Sequence, residues 1–311
     1  MYIQYIYQMN NKIKYIEYIG SEYIQNHVKL PIIRECILYS YIGGKKLRGS
    51  IYLLILDQLS KNFDINCKHY EILSDLSIYP EFIHTASLIL DDMPYMDNDV
   101  TRRGKDTSHI KYGKAISQLS AFILISISHK LLADSIVELY NKKYISADQF
   151  ITVQMFVHQL QHDYFGENGL SGGQYLDLYM GESTNFDNYI EMIKKKTSSL
   201  FKISFTMPYI MIYSTNNIEL NIYKQYELCG DLFGVIFQLL DDIDDVSLSV
   251  IKNNNVLHYK TLDDVNKYIA IEYKKLLAIL ENLGVNLSHV FDILSSHSNQ
   301  FKTNNYIEND L

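Results

Sequence analysis

The chain has 311 residues and a net charge of −8, from 36 acidic and 28 basic residues. Its 14 glycines and 4 prolines are about half of what average usage would supply, which disfavours all-β sandwiches, collagen-like repeats and long flexible linkers. The acidic balance also disfavours a general nucleic-acid binder, so we expect no nucleic-acid partner.

The first residues, Met1–Tyr18, alternate Tyr, Ile, Lys and Asn. They contain neither a basic segment followed by an apolar block nor an Arg- and Ser-rich stretch, so they predict no secretory signal and no transit peptide. Ile3, Ile6, Ile13 and Ile16 instead recur at helical spacings, which predicts an amphipathic first helix.

Helical periodicity continues along the chain after a Gly43-Gly44 break. Pro94 follows a long apolar segment, so Asp91 and Asp92 are expected near a helix end. The predicted helices cover 47–59, 72–90, 115–140, 146–163, 172–181, 186–214, 219–246 and 262–282. No strand-rich segment, repeat or linker is evident, and residues 299–311 form a polar tail. The sequence therefore predicts an all-α protein with a single domain over 1–311.

Two further features bear on location. The apolar stretch Leu119–Leu132 is interrupted by Ser, His and Lys, so we interpret it as a buried core helix and predict no transmembrane segment. The three cysteines, Cys36, Cys67 and Cys229, are far apart and form no zinc or disulfide pattern. That usage is typical of a reducing compartment, and we predict a cytoplasmic protein.

The first candidate site is a carboxylate cluster, Asp91-Asp92-Met93-Pro94-Tyr95-Met96-Asp97, followed by Arg102-Arg103. An apolar helix that ends in so many carboxylates repels itself unless cations neutralise it. Mg²⁺ binds one or two carboxylates together with substrate phosphates, and arginine forks suit the same phosphates. By itself this cluster is equally compatible with a solvated acidic loop.

A second cluster, Asp241-Asp242-Ile243-Asp244-Asp245, follows the apolar residues of another predicted helix. Asp241 and Asp245 share one helix face, and Gln238 lies one turn earlier on the same side. Because unpaired carboxylates on a partly buried helix are costly, this cluster also predicts bound cations.

Together these segments resemble the motifs of trans-isoprenyl diphosphate synthases. Asp91-Asp92-x4-Asp97 with Arg102-Arg103 is similar to the family's first aspartate-rich motif, in its bacterial and plastid spacing, and Asp241-Asp242-x2-Asp245 is similar to the second. Four further segments stand in family order: Gly43-Gly44-Lys45-Lys46-Leu47-Arg48, Glu81-Phe82-Ile83-His84-Thr85, Gly173-Gln174-x2-Asp177 and Lys196-Thr197. The resemblance covers about residues 40–250, and six motifs in order are far more specific than one.

The resemblance implies a helical bundle around a central metal-lined cavity, several Mg²⁺ ions, and elongation of allylic diphosphates by isopentenyl diphosphate. The implied metal ligands are Asp91, Asp97 and Asp241, supported by Asp92, Asp242 and Asp245. Arg102 and Lys196 would neutralise the allylic diphosphate, while Lys45, Arg48, His84 and Arg103 would bind isopentenyl diphosphate. Gln174 would support the substrate site, and Thr197 and Gln238 would line the reaction centre.

The resemblance also bears on product length and assembly. Family members pair through central helices, so we predict a homodimer through the apolar stretch Ala121–Leu132. The growing chain would pass Ala86 and Ser87, about one turn before Asp91, where farnesyl synthases commonly carry a bulky aromatic residue. Ala86 blocks nothing, so we predict a geranylgeranyl product with the chain ending near Phe122.

One segment departs from the family pattern: Ser247–Asn255 lacks the Gly- and Lys-containing sequence that usually closes over the allylic diphosphate. This leaves open a non-catalytic subunit of a prenyl synthase, although such subunits usually lose the aspartate motifs. A class I terpene cyclase is the other alternative, and it would need neither the second motif found here nor an isopentenyl diphosphate site.

Overall fold

The computed structural model describes residues 2–61, 67–179, 185–213, 218–247, 255–285 and 293–294. These residues form α-helices, one two-stranded hairpin, a π-helical turn and a 3₁₀ turn. The helices are α1 (Tyr2–His27), α2 (Pro31–Tyr41), α3 (Leu47–Ser60), α4 (Cys67–Asp75), α5 (Ile78–Asp91), α6 (Ser108–Tyr112), α7 (Lys114–Asn141), α8 (Ala147–Phe165), α9 (Leu170–Tyr179), α10 (Phe186–Ile193), α11 (Ser199–Tyr213), α12 (Leu220–Ser247) and α13 (Leu262–Asn282). The all-α fold class is confirmed.

Most predicted helices are present with ends shifted by one or two residues, and α13 coincides with the prediction. The predicted helix 72–90 is wrong, because the chain forms α4 and α5 with a break between them. Pro80 explains the break: proline lacks a backbone N–H and fits a helix only in its first turn, where it lies in α5. The predicted helix 186–214 is divided into α10, the π-helical turn Lys194–Ser198 and α11.

The chain divides into two compact units. Unit 1 comprises 1–154 and 211–217, and unit 2 comprises 155–210 and 218–311. Neither the single-domain prediction nor the predicted polar tail is tested by this division, and the tail lies outside the described residues. The segment Ser247–Asn255, which departs from the family pattern, also lies outside the described residues except for its two end residues.

Unit 1 is built around α5 and α7, with α2 packed against α7 and α3 against α5. Its core includes the fully buried rings of Tyr41, Tyr52 and Phe82. The only strands among the described residues are β1 (Thr101–Arg102) and β2 (Lys105–Asp106), an antiparallel pair after α5. The chain turns there through Arg103 and Gly104, with φ of 55° and 71°. Positive φ at both central residues gives the tight turn that matches strand twist.

In unit 2, α12 packs against α13 on one side and against the π-helical turn on another. The rings of Phe201 on α11 and of Phe233 and Phe237 on α12 form an aromatic cluster, with the Phe201 and Phe233 centroids 4.9 Å apart. This packing anchors the segment that carries Lys196 and Thr197.

By length and composition, α7 is the one helix in the described ranges that could cross a membrane. It extends one residue beyond each end of the predicted helix 115–140. Half of its most apolar window is buried within the protein, and core helices of globular proteins meet the same criteria.

Candidate active site

The end of α5 holds the first aspartate motif in a compact turn. Asp91 is the last residue of α5, and its carbonyl accepts a hydrogen bond of 2.9 Å from the backbone N–H of Asp97. The Asn98 N–H donates to the carbonyl of the buried Met93 at 3.1 Å. Because the turn folds back on the helix end, it brings the backbone of Asp97 beside that of Asp91.

Asp92 faces a different partner from the one that the resemblance implies. Its carboxylate is 4% exposed and binds the Arg102 guanidinium, with Nε 2.6 Å from Oδ1. Arg102 also donates to Asp99 at 3.1 Å. Burial raises the pKa of Asp92, and Arg102 opposes that shift. Arg102, predicted to neutralise a diphosphate, thus neutralises two aspartates of its own loop in this structure.

The hairpin places Arg103 against the loop that precedes α3. Gly44 has a φ of 79°, which favours glycine, and a Cβ there would lie 2.6 Å from the Arg103 Cζ, so the guanidinium would have to move. The other end of the hairpin is tied to α2, because the Tyr39 hydroxyl donates to the Asp106 carbonyl at 2.8 Å. Of the two glycines before α3, Gly44 is therefore the one that lies against Arg103.

The basic side chains just before α3 and in its first turn have different surroundings. Lys45 is exposed, whereas Lys46 is buried and donates to the Tyr41 carbonyl. Burial lowers the pKa of Lys46 to about 8 and that of Arg48 to about 10, while the charge of Glu81 opposes both shifts. Glu81 is held in place by the Gly49 N–H at 3.0 Å.

His84 joins this group one turn after Glu81 on α5. Burial holds its pKa well below 6.5, and the charges of Arg48, Arg103, Lys46 and Arg102 lower it further. A neutral imidazole among guanidinium groups can donate one hydrogen bond to an anion without adding charge. Unit 1 therefore brings together three of the four predicted isopentenyl diphosphate ligands, Arg48, His84 and Arg103.

The three predicted chain-length residues have different environments. Ala86 is fully buried on α5, and Ser87 is half-buried with its hydroxyl donating to the His84 carbonyl at 2.9 Å. Phe122 lies on the outer face of α7 and is 52% exposed. Within unit 1, then, Ala86 faces the interior whereas the Phe122 ring does not.

In unit 2, the π-helical turn Lys194–Ser198 carries Lys196 and Thr197. Its backbone packs closely against two glycines. A Cβ at Gly173 on α9 would lie 2.2 Å from the Lys196 backbone nitrogen, and one at Gly234 on α12 would lie 2.5 Å from the Ser198 Cα. Short π-helical segments commonly occur at functional sites. Gly234 is a site residue that the sequence analysis missed, since its signal is a close approach and not a motif.

The side chains of this turn have defined partners. Lys196 forms an ion pair with Asp177, one helical turn beyond the buried Gln174 on α9. The Thr197 hydroxyl donates to Gln238 Oε1 at 3.0 Å. The structure therefore joins the predicted Lys196, Thr197 and Gln238 with Asp177 in one part of unit 2.

The second aspartate motif occupies the last turns of α12. Gln238, Asp241, Asp242 and Asp245 lie at spacings that share one face, and Asp241 and Asp245 are half-buried. Asp242 is buried and accepts hydrogen bonds from Tyr189, Gln238 and the Val256 N–H, although burial still raises its pKa to about 6. Tyr189 and Val256 were not anticipated from the sequence, because neither is near Asp242 along the chain.

The carboxylates fit Mg²⁺ through their chemistry more than through a preformed cage. Across the described part of the chain, no group of three or more His, Cys, Asp or Glu side chains is placed to hold a metal ion. Mg²⁺ keeps several waters and is commonly bound by one or two carboxylates plus substrate phosphates. Asp91 and Asp97 in unit 1, and Asp241 and Asp245 in unit 2, meet that requirement; Asp92 and Asp242 already bind protein donors.

Comparisons with known proteins agree with these features. The polyprenyl synthetase family model matches residues 30–266. A farnesyl diphosphate synthase from Buchnera aphidicola is 29% identical over 300 residues, 93% of this chain and 97% of that protein. The mitochondrial geranylgeranyl pyrophosphate synthase 10 of Arabidopsis thaliana is 31% identical over 229 residues, 70% of this chain and 58% of that one.

Among solved structures, a geranyltransferase from Helicobacter pylori complexed with magnesium and isoprenyl diphosphate shares the fold. The match has a TM-score of 0.71 at 22% identity and covers 96% of this chain and 98% of that one. Family match, fold and motif residues lead to one assignment: the chain belongs to the polyprenyl synthetase family and is a trans-isoprenyl diphosphate synthase.

Proposed function

We propose that this synthase condenses isopentenyl diphosphate with allylic diphosphates and releases mainly geranylgeranyl diphosphate. The observation that carries the condensation is the group in unit 1 formed by Arg48, Arg103 and the neutral His84. Such a group binds a second diphosphate, which a terpene cyclase does not use. Arginine guanidinium groups match the geometry of phosphate oxygens. The Arg103 guanidinium lies against Gly44, which limits its possible positions.

The allylic diphosphate is assigned to the carboxylates and to Lys196. In unit 2, Mg²⁺ held by Asp241 and Asp245 would stabilise the negative charge on the departing diphosphate. Asp91 and Asp97 in unit 1 are proposed as Mg²⁺ ligands on the same chemical grounds. Lys196 would add a charge to that diphosphate by exchanging its ion pair with Asp177. The Thr197 hydroxyl donates to the Gln238 carbonyl oxygen, and we assign both side chains to the reaction centre.

The function is tested by incubating the purified chain with Mg²⁺, isopentenyl diphosphate and dimethylallyl, geranyl or farnesyl diphosphate, then identifying the products. We expect elongated all-trans diphosphates. A non-catalytic subunit would form no product, and a terpene cyclase would consume the allylic substrate without isopentenyl diphosphate. A cytoplasmic location stays a prediction, because one relative is named as a mitochondrial enzyme.

The product length is proposed from Ala86. Its side chain is a single methyl group buried on α5, so a larger residue there would reach further toward the growing chain and stop it sooner. We expect the series Ala86→Val, Ala86→Leu and Ala86→Phe to shorten the main product stepwise from C20 toward C15. Product chromatography measures the length, and thermal unfolding of each variant detects overpacking, which costs about 1–3 kcal/mol in a filled core.

Ser87→Ala is the matched control, because it changes the next residue without adding volume. A wild-type protein that stops at C15, or an Ala86→Phe protein that remains folded and keeps the wild-type product, would contradict the assignment. Phe122 stays a candidate for the end of the chain only where a neighbouring subunit covers it.

We also propose a homodimer, through the exposed face of α7, which includes part of the predicted stretch Ala121–Leu132. Ala121, Leu124, Leu131 and Leu132 are buried within unit 1. The exposed stripe, called here the α7 stripe, consists of Leu119, Phe122, Ser126, Lys130, Ala133, Val137 and Tyr140. Its spacings of three and four residues are those of helices that pack side by side.

We expect light scattering to give a two-chain mass for the wild type and a one-chain mass for Phe122→Asp, since a charge in the middle of an apolar contact is strongly unfavourable. Ile110→Asp is the control: Ile110 is equally exposed on α6, outside the stripe. A one-chain mass of the wild type at micromolar concentrations would refute the dimer.

A further inference from the structure

Asp242 is the buried carboxylate of the α12 motif, and both of its oxygens accept hydrogen bonds from the protein. One oxygen, Oδ1, accepts from Gln238 Nε2 at 3.0 Å. The other, Oδ2, accepts from the Tyr189 hydroxyl and from the Val256 N–H, the latter at 3.1 Å. The side chain is 4% exposed. Three of the roughly four lone-pair sites of this buried carboxylate already accept from protein donors, which leaves it poorly placed to bind a metal ion.

The backbone around Asp242 reinforces the arrangement. The Asp242 carbonyl accepts a bond of 2.9 Å from the Asn255 side chain, whose Oδ1 accepts from the Leu257 N–H, also at 2.9 Å. Asp242 is thereby joined to residues 255–257 by both its side chain and its main chain. Tyr189 joins the same carboxylate to α10, so three segments of unit 2 meet at one residue.

The directions of these hydrogen bonds have a consequence for Gln238. An ionised carboxylate only accepts, so Gln238 must turn its NH₂ group toward Asp242. Its carbonyl oxygen then faces the other way, where it accepts from the Thr197 hydroxyl at 3.0 Å. With its proton committed to Gln238, Thr197 offers only lone pairs to its remaining surroundings. Asp242 therefore determines that the Gln238 carbonyl oxygen, and not its NH₂ group, faces Thr197, and that the Thr197 hydroxyl proton points at Gln238.

We propose that Asp242 is a positioning residue that orients the Gln238 amide and the Thr197 hydroxyl, and that Asp241 and Asp245 are the carboxylates of this motif that bind metal. The proposal rests on the proposed function, which places Thr197 and Gln238 at the reaction centre. Lone pairs turned toward that centre would favour the positive charge that develops on the allylic carbon.

The main test is Asp242→Asn. An asparagine can still accept from Tyr189 and Val256 through its oxygen, but its NH₂ group then faces Gln238. Gln238 must flip its amide and present NH₂ to Thr197. We expect kcat to fall by about tenfold or more, as misaligned groups at a reaction centre commonly produce, with KM for both substrates within about twofold of wild type.

The double variant Gln238→Glu with Asp242→Asn restores the original directions. The asparagine NH₂ donates to the new carboxylate, whose second oxygen again accepts from Thr197, and the net charge equals that of the wild type. We expect the double variant to recover part of the kcat lost by Asp242→Asn. No recovery, with both proteins folded, would overturn the orienting role.

Tyr189→Phe keeps the proposal testable if Asp242→Asn does not fold. It removes one donor without changing charge and leaves Asp242 less firmly held, so we expect kcat to fall by about threefold or more. Tyr164→Phe is its matched control, because Tyr164 is also buried in unit 2 and donates to a carboxylate, Glu227, at 2.7 Å. Equal activities of Tyr189→Phe and Tyr164→Phe would overturn the proposal.

Metal binding gives a readout independent of turnover. Mn²⁺ binding in the presence of inorganic diphosphate, followed by electron paramagnetic resonance, should be about tenfold weaker in Asp241→Asn and unchanged within about twofold in Asp242→Asn. Equal weakening in both variants would overturn the proposal. A wild type that elongates no primer would refute the proposed function, whereas this titration would still decide the role of Asp242.

Discussion

Asp91→Ala and Asp241→Ala are each expected to lower kcat/KM by at least about 100-fold while the protein remains folded, because each removes a proposed ligand for the cations that would stabilise the leaving diphosphate. Asp91 is the last residue of α5, where the negative end of the helix dipole disfavours a carboxylate by about 0.3–1 kcal/mol. Asp241 lies further from the end of α12, but its charge raises the pKa of the neighbouring Asp242, because the two carboxylates repel each other. Thermal midpoints should therefore stay the same or rise, and we expect steady-state kinetics and thermal unfolding to show this opposite effect on activity and stability.

Asp263→Ala provides the contrasting control. Asp263 is in the first turn of α13, where the helix dipole favours it, and it pairs with Lys267 at the surface. This variant should lose a little stability and keep full activity. Product formation near the wild-type rate in Asp91→Ala or Asp241→Ala would refute the metal assignment of that residue.

Gly173→Ala is expected to lower both stability and activity. The added Cβ would lie 2.2 Å from the Lys196 nitrogen and 2.5 Å from its Cα, atoms that move only if the π-helical turn moves. We expect a loss of about 1–3 kcal/mol in the free energy of unfolding, as for other overpacked sites. We also expect kcat/KM to fall by about tenfold or more, since Lys196 and Thr197 would be displaced. Denaturant unfolding and steady-state kinetics measure the two effects.

Gly230→Ala separates packing from positioning. Its Cβ would lie 2.5 Å from the Lys202 Cα, on α11 beyond the π-helical turn, so the steric conflict is similar but falls outside the site. We expect a comparable loss of stability with activity close to wild type. If Gly230→Ala loses as much activity as Gly173→Ala, the effect is one of general destabilisation.

The sequence by itself determined the fold class and most helices, because apolar residues at spacings of three and four specify a helix without reference to distant residues. The prediction of 262–282 coincides with α13 for this reason. Pro80 also indicated the break between α4 and α5. The helical spacing of apolar residues on both sides of it nevertheless led to the prediction of one continuous helix. Motif order identified the family, since each motif consists of residues close together in the chain.

Only the tertiary structure decided what each motif residue binds. Asp92 and Asp242 resemble their neighbours in the sequence, yet both are buried against protein donors, Arg102 in one case and Tyr189, Gln238 and Val256 in the other. The α7 stripe likewise emerged only when the packing of α5 and α2 had covered the other faces of α7. The physical reason is the same throughout: burial and hydrogen bonding depend on groups that are distant in sequence, whereas helix formation depends on groups that are near.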